Sequence, residues 1–560
     1  MKVLVANRGE IACRILRTLK EMRIPSVAVH TEVDRKAAHV ALADEAVALG
    51  APGRYLEIAA ILEAARATGA TAIHPGYGFL SQNPEFARRC ASSGLVFIGP
   101  TPEAIVALGD KRGARRTAAG LGIPVVPGAE DADTLDTARG IAGRLGYPIL
   151  LKAAAGGGGK GMRLVSGPAD LDEAHAGARR EALAAFGDGR LLLEKYLHPA
   201  RHIEVQILGD GRDAVALGER ECSLQRRYQK VIEESPAGSI PDGVRRALAE
   251  AAIRLARAVG YRSAGTVEFL VGPDGGHAFL EVNTRLQVEH PVTEMLTGLD
   301  LVRCQIELAE GGSLPGAPTP RGHAIEARLT AEDVRRGFLP VTGEVWSLRW
   351  PQIPGVRIDS GLREGTEVSR HYDSLLAKVI AWGGDREQAR RRLVEALRES
   401  VIRGLTTNRL FLLAILEHEL FMSGETFTTT LESTSWELAE EPEEVRPSVP
   451  GASSPEEDPW SPWRGTASSG PARSRGRARA GGPGAPGRVD REIRAPMTGK
   501  VVRVAVGPGT AVRRNDVLVV LEAMKMEYRL SAPRDGTVES VRCQEGELVD
   551  LDHLLVTLDP

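Results

Sequence analysis

Ile149-Leu150-Leu151-Lys152-Ala153-Ala154-Ala155-Gly156-Gly157-Gly158-Gly159-Lys160-Gly161-Met162 is the stretch on which the reading of this chain turns. It starts as a short apolar run of strand length and ends in four consecutive glycines closed by Lys160. Glycine lacks Cβ, so a glycine run lets backbone N–H groups fold around phosphate oxygens. Lys152 before the loop and Lys160 inside it add cationic charge. The Walker pattern GxxxxGK[ST] does not fit, because Gly161 follows Lys160. A glycine-rich run alone is equally a flexible turn. The lysines favour a nucleotide site of another kind, since the chain holds only eleven lysines against sixty arginines. A solvated surface accepts either cation, whereas a compact point charge or a primary amine requires lysine.

The segments around the loop alternate short apolar runs with helical patterns. Val3–Ala6, Ser26–His30 and Val96–Gly99 read as strands, and residues 55–68 as an amphipathic helix. Such alternation predicts a largely parallel sheet near the N-terminus. Further on, Ile203–Leu208, Ala214–Glu219, Gly265–Val271 and Ala278–Asn283 lie closer together and predict an antiparallel sheet. Glu268 falls on one of these strands, and Glu281 and Asn283 on another. Positions 281 and 283 share a strand face, so a carboxylate and an amide oxygen point the same way. Hard oxygen ligands beside phosphates suit Mg²⁺ or Mn²⁺, although acids on the solvent face of strands give the same pattern. Asn283-Thr284-Arg285-Leu286-Gln287-Val288-Glu289-His290, together with Lys230, brings cations and a carboxylate to one region. That combination suits an anionic small substrate and a general base.

The last 70 or so residues repeat themselves. Ala495-Pro496-x-x-Gly499 recurs as Ala532-Pro533-x-x-Gly536, and Gly509, Val512 and Leu518 recur as Gly546, Val549 and Leu555, all 37 residues on. Two equivalent β-rich halves predict a small pseudo-twofold sandwich or flattened barrel. Between them lies Glu522-Ala523-Met524-Lys525-Met526-Glu527, placed as a hairpin tip. A single lysine there is either a surface residue or the attachment point of a prosthetic group, and the repeat centred on it favours the second. Residues 439–492 contain no Leu, Ile, Phe or Tyr, with an acidic first part and an Arg/Gly/Ala/Pro-rich second part. Such a stretch buries too little apolar surface to fold and is expected to be a disordered linker.

The formal net charge of -3 argues against bulk nucleic-acid binding or a polybasic membrane anchor. No apolar run is long enough for a transmembrane helix, and the N-terminus lacks the pattern of a signal peptide. Five dispersed cysteines (Cys13, Cys90, Cys222, Cys304, Cys543) predict reduced thiols and a cytoplasmic protein.

Ala-Met-Lys-Met in a repeated β domain closely resembles the biotin carboxyl carrier domain. Lipoyl domains share the shape but usually carry Asp-Lys-Ala. Ala6-Asn7-Arg8-Gly9-Glu10-Ile11-Ala12, His74-Pro75-Gly76-Tyr77-Gly78-Phe79-Leu80, Gly109-Asp110-Lys111, the tetraglycine loop, Glu194-Lys195-Tyr196, Arg201-His202-Ile203-Glu204, Val288-Glu289-His290-Pro291, Gly322–Arg328 and Tyr372-Asp373-Ser374 resemble the ATP-grasp biotin carboxylases, in that family's order. The resemblance covers about residues 1–435 and 490–560. It implies a multidomain α/β and α+β protein. A Rossmann-like domain would span 1–110, an ATP-grasp region 111–330 with its lid at about 130–203, and a C-terminal carboxylase domain 331–435. A linker at 436–490 and an all-β biotinyl/lipoyl-like flattened barrel at 491–560 would complete the chain.

The resemblance further implies an ATP-dependent ligase that carboxylates biotin attached to Lys525, using bicarbonate by way of carboxyphosphate. Lys111, Lys152, Glu194 and His202 would hold ATP, with Gly156, Gly157, Gly158, Gly159 and Lys160 as the lid. Glu268 and Glu281, with Asn283, would hold Mg²⁺ or Mn²⁺. Glu289 would act as base, Lys230 and Arg285 would position the anions, and Arg328 would stabilise the biotin enolate. No carboxyltransferase fits in 560 residues, so a carboxyltransferase beta chain is the expected partner, with biotin protein ligase loading the lysine. A homodimer of the carboxylase part is also implied. The chain resembles the alpha chain of an acyl-CoA carboxylase, with acetyl/propionyl type favoured and methylcrotonyl type as the alternative. Two rivals stand beside this: another ATP-grasp ligase with a lipoyl-type appendage, and a non-catalytic biotin carrier or scaffold. Tyr228, where the family often has His, and Gln82, where Glu is common, depart from the pattern.

Overall fold

The computed structural model describes residues 1–155, 161–316, 318–440, 491–523 and 526–559. The tetraglycine loop with Lys160, the stretch 441–490 and Lys525 therefore lie outside the described residues. The chain divides into two compact units, Met1–Ala439 and Glu440–Pro560.

The first unit opens with a five-stranded parallel sheet in the order Glu45–Gly50, Ser26–Thr31, Val3–Val5, Ala72–His74 and Val96–Phe97. Its central strand, Val-Leu-Val, is buried throughout, as expected of a parallel strand covered by helices on both faces. The expected parallel sheet is present, and Tyr55–Thr68 resolves into a short 3₁₀ turn followed by the helix Ile58–Thr68. That helix ends on Gly69 at φ +65, a left-handed position at which glycine carries no steric cost.

A four-stranded antiparallel sheet holds the segment that opened the sequence reading. Its order is Gly128–Ala129, Leu191–Lys195, Ile149–Ala153 and Arg163–Val165. Ile149, Leu150 and Leu151 pair with Val165, Leu164 and Arg163, so the two strands flank the glycine run on either side. Gly161 closes that run at φ +70, and a Cβ there would sit 2.9 Å from Ala153 Cβ.

The largest sheet has eight strands in the order His277–Asn283, Arg262–Val271, Arg201–Asp210, Ala214–Arg226, Gln229–Ser235, His323–Thr330, Leu375–Gly383 and Val356–Ser360. Every pairing in it is antiparallel, as the spacing of the apolar runs predicts. The sheet runs without interruption past residue 330, the position of the expected domain boundary. It continues because buried Ile325, Ala327 and Leu329 pack with Ala377, Val379 and Ala381 into one core with the helix Arg386–Glu399.

In the second unit the 37-residue repeat governs the structure. Gly499–Val504 recurs as Gly536–Val541, Ala511–Val512 as Leu548–Val549, and the strand beginning at Val517 as that beginning at Leu554. Two four-stranded sheets each draw strands from both halves around a core that includes Val501, Leu518, Val538 and Leu555. The turns repeat as well: Asn515 at φ +74 and Asp552 at φ +65 are both left-handed. Asn and Asp tolerate that region through local side-chain hydrogen bonds.

Candidate functional site

One face of the eight-stranded sheet carries a row of charged side chains. Residues directly opposite in antiparallel register share a face. Glu281 lies opposite Glu268, Glu268 opposite Glu204, and Glu204 opposite Arg220. Beyond them Glu233 lies opposite Glu326, and Arg328 opposite Lys378. Like charges in such positions repel, so cations must intervene. Lys230 does so, with Nζ 2.5 Å from Glu204 Oε2, 2.9 Å from Glu268 Oε1 and 2.6 Å from Glu289 Oε1. Arg220 Nε meets Glu204 Oε1 at 2.5 Å. Arg328 donates through Nε to Glu233 Oε1 at 2.5 Å and through NH2 to Glu289 Oε2 at 3.0 Å.

Glu289 is fully buried at the N-cap position of the helix His290–Thr297, where the helix dipole favours negative charge. Burial works to raise its pKa, but Lys230, Arg328 and Arg220 outweigh that and hold it well below the ordinary carboxylate range. Lys230 is the mirror case. Burial works to lower its pKa, and Glu204, Glu268 and Glu289 hold it well above the ordinary value. Burial raises Glu233 to about 7, against the pull of Arg328. The site is thus a water-poor floor bearing an ionised carboxylate between a fixed ammonium and a fixed guanidinium.

Lys111 links this sheet to the strand that leads into the glycine run. Asp110 caps the helix Lys111–Gly120 by accepting from Arg112 N at 3.3 Å, which sets Lys111 at the helix start. The Lys111 N–H donates to Ala154 O at 3.2 Å, and its Nζ lies 3.4 Å from Glu281 Oε2. Lys152 is buried against Glu194, whose other oxygen meets Arg115 NH1 at 3.0 Å. His202 Nε2 lies 3.0 Å from Glu268 Oε2.

Glu268 and Glu281 fit a divalent cation, with two carboxylates on facing positions and Glu281 half-buried at the edge of the row. Asn283 lies on the expected strand face, with its amide engaged by protein groups. Its Nδ2 donates to Glu268 Oε1 at 2.8 Å, and its Oδ1 accepts from Arg285 NH2 at 3.1 Å. The amide oxygen that the strand pattern assigned to a metal accepts here from the guanidinium two residues along.

The structure therefore brings together Lys111, His202, Lys230, Glu268, Glu281, Asn283, Arg285, Glu289 and Arg328, with Lys152 and Glu194 on the neighbouring sheet. Glu204, Arg220 and Glu233 were missed by the sequence reading. Glu204 had a signal, since it lies two residues beyond His202 on the same strand face. Of the two departures, Gln82 is in the site, with Oε1 accepting from Arg285 Nε at 2.9 Å. Tyr228 stands with Arg227 between the strands Ala214–Arg226 and Gln229–Ser235, both at positive φ.

Comparison with known proteins agrees with this geometry. The chain matches the biotin carboxylase N-terminal domain over residues 1–105 and the carbamoyl-phosphate synthase L chain ATP binding domain over 110–317. It matches the biotin carboxylase C-terminal domain over 326–433 and the domain of biotin-requiring enzymes over 491–558. It is 43% identical over 579 residues to the biotin-dependent acyl-coenzyme A carboxylase alpha3 subunit of Mycobacterium leprae, covering 98% of this chain and 97% of that one. It is 50% identical over 433 residues to the mitochondrial methylcrotonoyl-CoA carboxylase subunit alpha of Oryza sativa subsp. japonica. That match covers 76% of this chain but only 59% of the rice protein's length. Among solved structures, the biotin carboxylase domain dimer of Hydrogenobacter thermophilus 2-oxoglutarate carboxylase, in complex with MgADP, ADP and bicarbonate, aligns with a TM-score of 0.75 at 42% identity. The alignment covers 77% of this chain and 97% of that one. With four domain models in sequence and a relative matched over nearly its full length, the chain belongs to the family of biotin-dependent acyl-CoA carboxylase alpha chains.

Proposed function

We propose that the chain carboxylates biotin carried on Lys525, using ATP and bicarbonate, and delivers the carboxyl group to a carboxyltransferase beta chain of acetyl/propionyl type. The observation that carries the reading is the Glu289 carboxylate, buried and held between Lys230 at 2.6 Å and Arg328 at 3.0 Å. A carboxylate so placed takes the bicarbonate proton while Lys230 and Arg285 hold the anion for attack on the γ-phosphate. Lys111, Lys152 and His202 line the approach from the glycine run and bind the nucleotide. Divalent cations held by Glu268 and Glu281, Mg²⁺ or Mn²⁺, neutralise phosphate charge when bound. Biotin supplies the ureido nitrogen that accepts the carboxyl group. Arg328, in reach of Glu289, stabilises negative charge that develops beside the base.

The near full-length match to an acyl-CoA carboxylase alpha3 subunit supports an acyl-CoA carboxylase alpha chain, and the short interval between the carboxylase part and the carrier favours the acetyl/propionyl type. The 50% identity to a methylcrotonoyl-CoA carboxylase alpha subunit favours methylcrotonyl-CoA as the second reading. Five cysteines, all buried and free, support a reducing compartment, and no helix among the described residues is long and apolar enough to cross a membrane. A homodimer of the carboxylase part and loading by biotin protein ligase belong to the same proposal. Intact-mass spectrometry of the chain tests the carrier assignment: a biotin adduct on Lys525 supports it, and a lipoyl adduct or none contradicts it. Purification with the beta chain and assay on acetyl-, propionyl- and methylcrotonyl-CoA tests the acceptor, and turnover of methylcrotonyl-CoA alone would select the second reading.

A further inference from the structure

Among the described residues, Arg285 differs from the other lysines and arginines of the carboxylate row in its partners. Lys230 meets Glu204, Glu268 and Glu289, Arg328 meets Glu233 and Glu289, Arg220 meets Glu204, Lys111 meets Glu281 and Lys152 meets Glu194. Arg285 donates through Nε to Gln82 Oε1 at 2.9 Å, through NH1 to Leu286 O at 3.1 Å and Gln287 Oε1 at 2.9 Å, and through NH2 to Asn283 Oδ1 at 3.1 Å. All four acceptors are neutral, and among the described residues no carboxylate oxygen reaches Arg285 at ion-pair distance. A guanidinium has five N–H donors, so these bonds fix its plane and leave one N–H on NH2, while Glu289, Glu268 and Glu281 act on its charge only from beyond ion-pair distance. A half-buried cation with no carboxylate in direct contact is ready to pair with an arriving anion.

Gln82 puts a neutral oxygen, not a carboxylate, in direct contact with Arg285 Nε. It comes from the turn between the strand Ala72–His74 and the helix Pro84–Ser92, about 200 residues from Arg285 in sequence. The turn is firm, since Asn83 caps the helix by accepting from Phe86 N at 3.0 Å and Asn83 N donates to Leu80 O at 3.0 Å. Gln82 Nε2 lies 3.4 Å from Thr284 Oγ1, which turns the amide oxygen toward the guanidinium. A glutamate is nearly isosteric with glutamine, so the same side chain with one oxygen exchanged would form an ion pair there.

We infer that Gln82 is a positioning residue that orients Arg285 through a neutral oxygen and thereby sets the affinity of the site for its small anionic substrate. The inference rests on the functional reading above, in which that anion is bicarbonate. Gln82→Glu places a carboxylate against Nε and competes with the anion for the same charge. Gln82→Met removes the hydrogen bond without adding charge.

The test is steady-state ADP release by the full-length chain with free biotin, titrating bicarbonate and ATP separately. Gln82→Glu is expected to raise the bicarbonate KM by about tenfold or more, the scale of one charge neutralised in a partly buried site. Its ATP KM stays close to that of the wild type, and Gln82→Met raises the bicarbonate KM distinctly less. A Gln82→Glu protein with an unchanged bicarbonate KM overturns the inference, as do equal shifts in the two variants, which indicate support of the loop rather than control of charge. Bicarbonate-independent ADP release by the wild type would instead overturn the functional reading, and this inference with it.

Discussion

Lys230 Nζ lies 2.6 Å from Glu289 Oε1, in a part of the sheet where three carboxylates converge on one ammonium. The lysine is therefore a structural counter-ion, besides the anion-binding role proposed for it. Removing one partner of a buried, hydrogen-bonded charge cluster costs about 3–5 kcal/mol, because the remaining charges lose compensation. Lys230→Ala should lower the unfolding temperature of the full chain, measured by calorimetry, besides abolishing turnover. Lys230→Arg should recover part of the stability without the activity, since a planar fork cannot meet three carboxylates as a compact ammonium does. An alanine variant of wild-type stability would show that the cluster does not depend on this charge.

Glu281 is the half-buried member of the carboxylate row, facing Glu268 and 3.4 Å from Lys111. Glu281→Gln should raise the Mg²⁺ concentration for half-maximal ADP release by about tenfold or more. Chelation of divalent cations should stop turnover in both proteins, and restored Mg²⁺ should recover it. Identical Mg²⁺ titrations for wild type and variant would remove Glu281 from the metal site.

Glu10 is buried, accepts from Tyr77 through Oε1 and has Oε2 3.3 Å from Lys378 Nζ. Burial raises its pKa to about 7, against the opposing pull of Lys378. The folded pKa lies above the unfolded value, so the group's contribution to stability is complete below about pH 4.3 and is lost as pH rises through 7. Glu10→Gln removes the titration. The melting temperature of the variant should rise relative to wild type between pH 5.5 and pH 8. A difference that is constant with pH would mean that Glu10 does not hold a proton in the folded state.

In the second unit Asn515 and Asp552 occupy equivalent left-handed turns of the repeat. A β-branched residue cannot adopt that conformation without strain of about 1–3 kcal/mol. Asp552→Val should destabilise that unit by such an amount in denaturant titration, and Asp552→Gly should not. Equal effects of the two would place the cost in a lost side-chain contact rather than in the backbone.

Periodic features were legible in the sequence. The 37-residue repeat predicted the paired strands of the second unit, and the spacing of Val/Ile/Leu runs predicted both the parallel and the antiparallel sheets. Glu268, Glu281, Lys230 and Glu289, which the structure brings together, could be singled out because each sits in a short motif on a strand or at a helix start. What the sequence hid depends on long-range register. Glu204 faces Glu268 through pairing across more than 60 residues, and Gln82 reaches Arg285 across about 200. Strand alternation placed Asn283 on the right face, but the direction of its amide follows from Arg285, a neighbour on which alternation is silent. The continuation of the large sheet beyond residue 330 was hidden for the same reason, since it is the core shared with the helix Arg386–Glu399 that holds those strands together.

The central claim is that Glu289, ionised and clamped between Lys230 and Arg328, is the base that activates bicarbonate. The most direct test is ADP release by wild type and Glu289→Gln, with and without bicarbonate, alongside ATP binding by calorimetry. Wild-type ADP release should require bicarbonate and rise with free biotin. Glu289→Gln should bind ATP as wild type does and lose about 10²–10⁴-fold in kcat, the scale of a positioned general base. A Glu289→Gln protein that turns over bicarbonate and ATP at close to the wild-type rate would contradict the account.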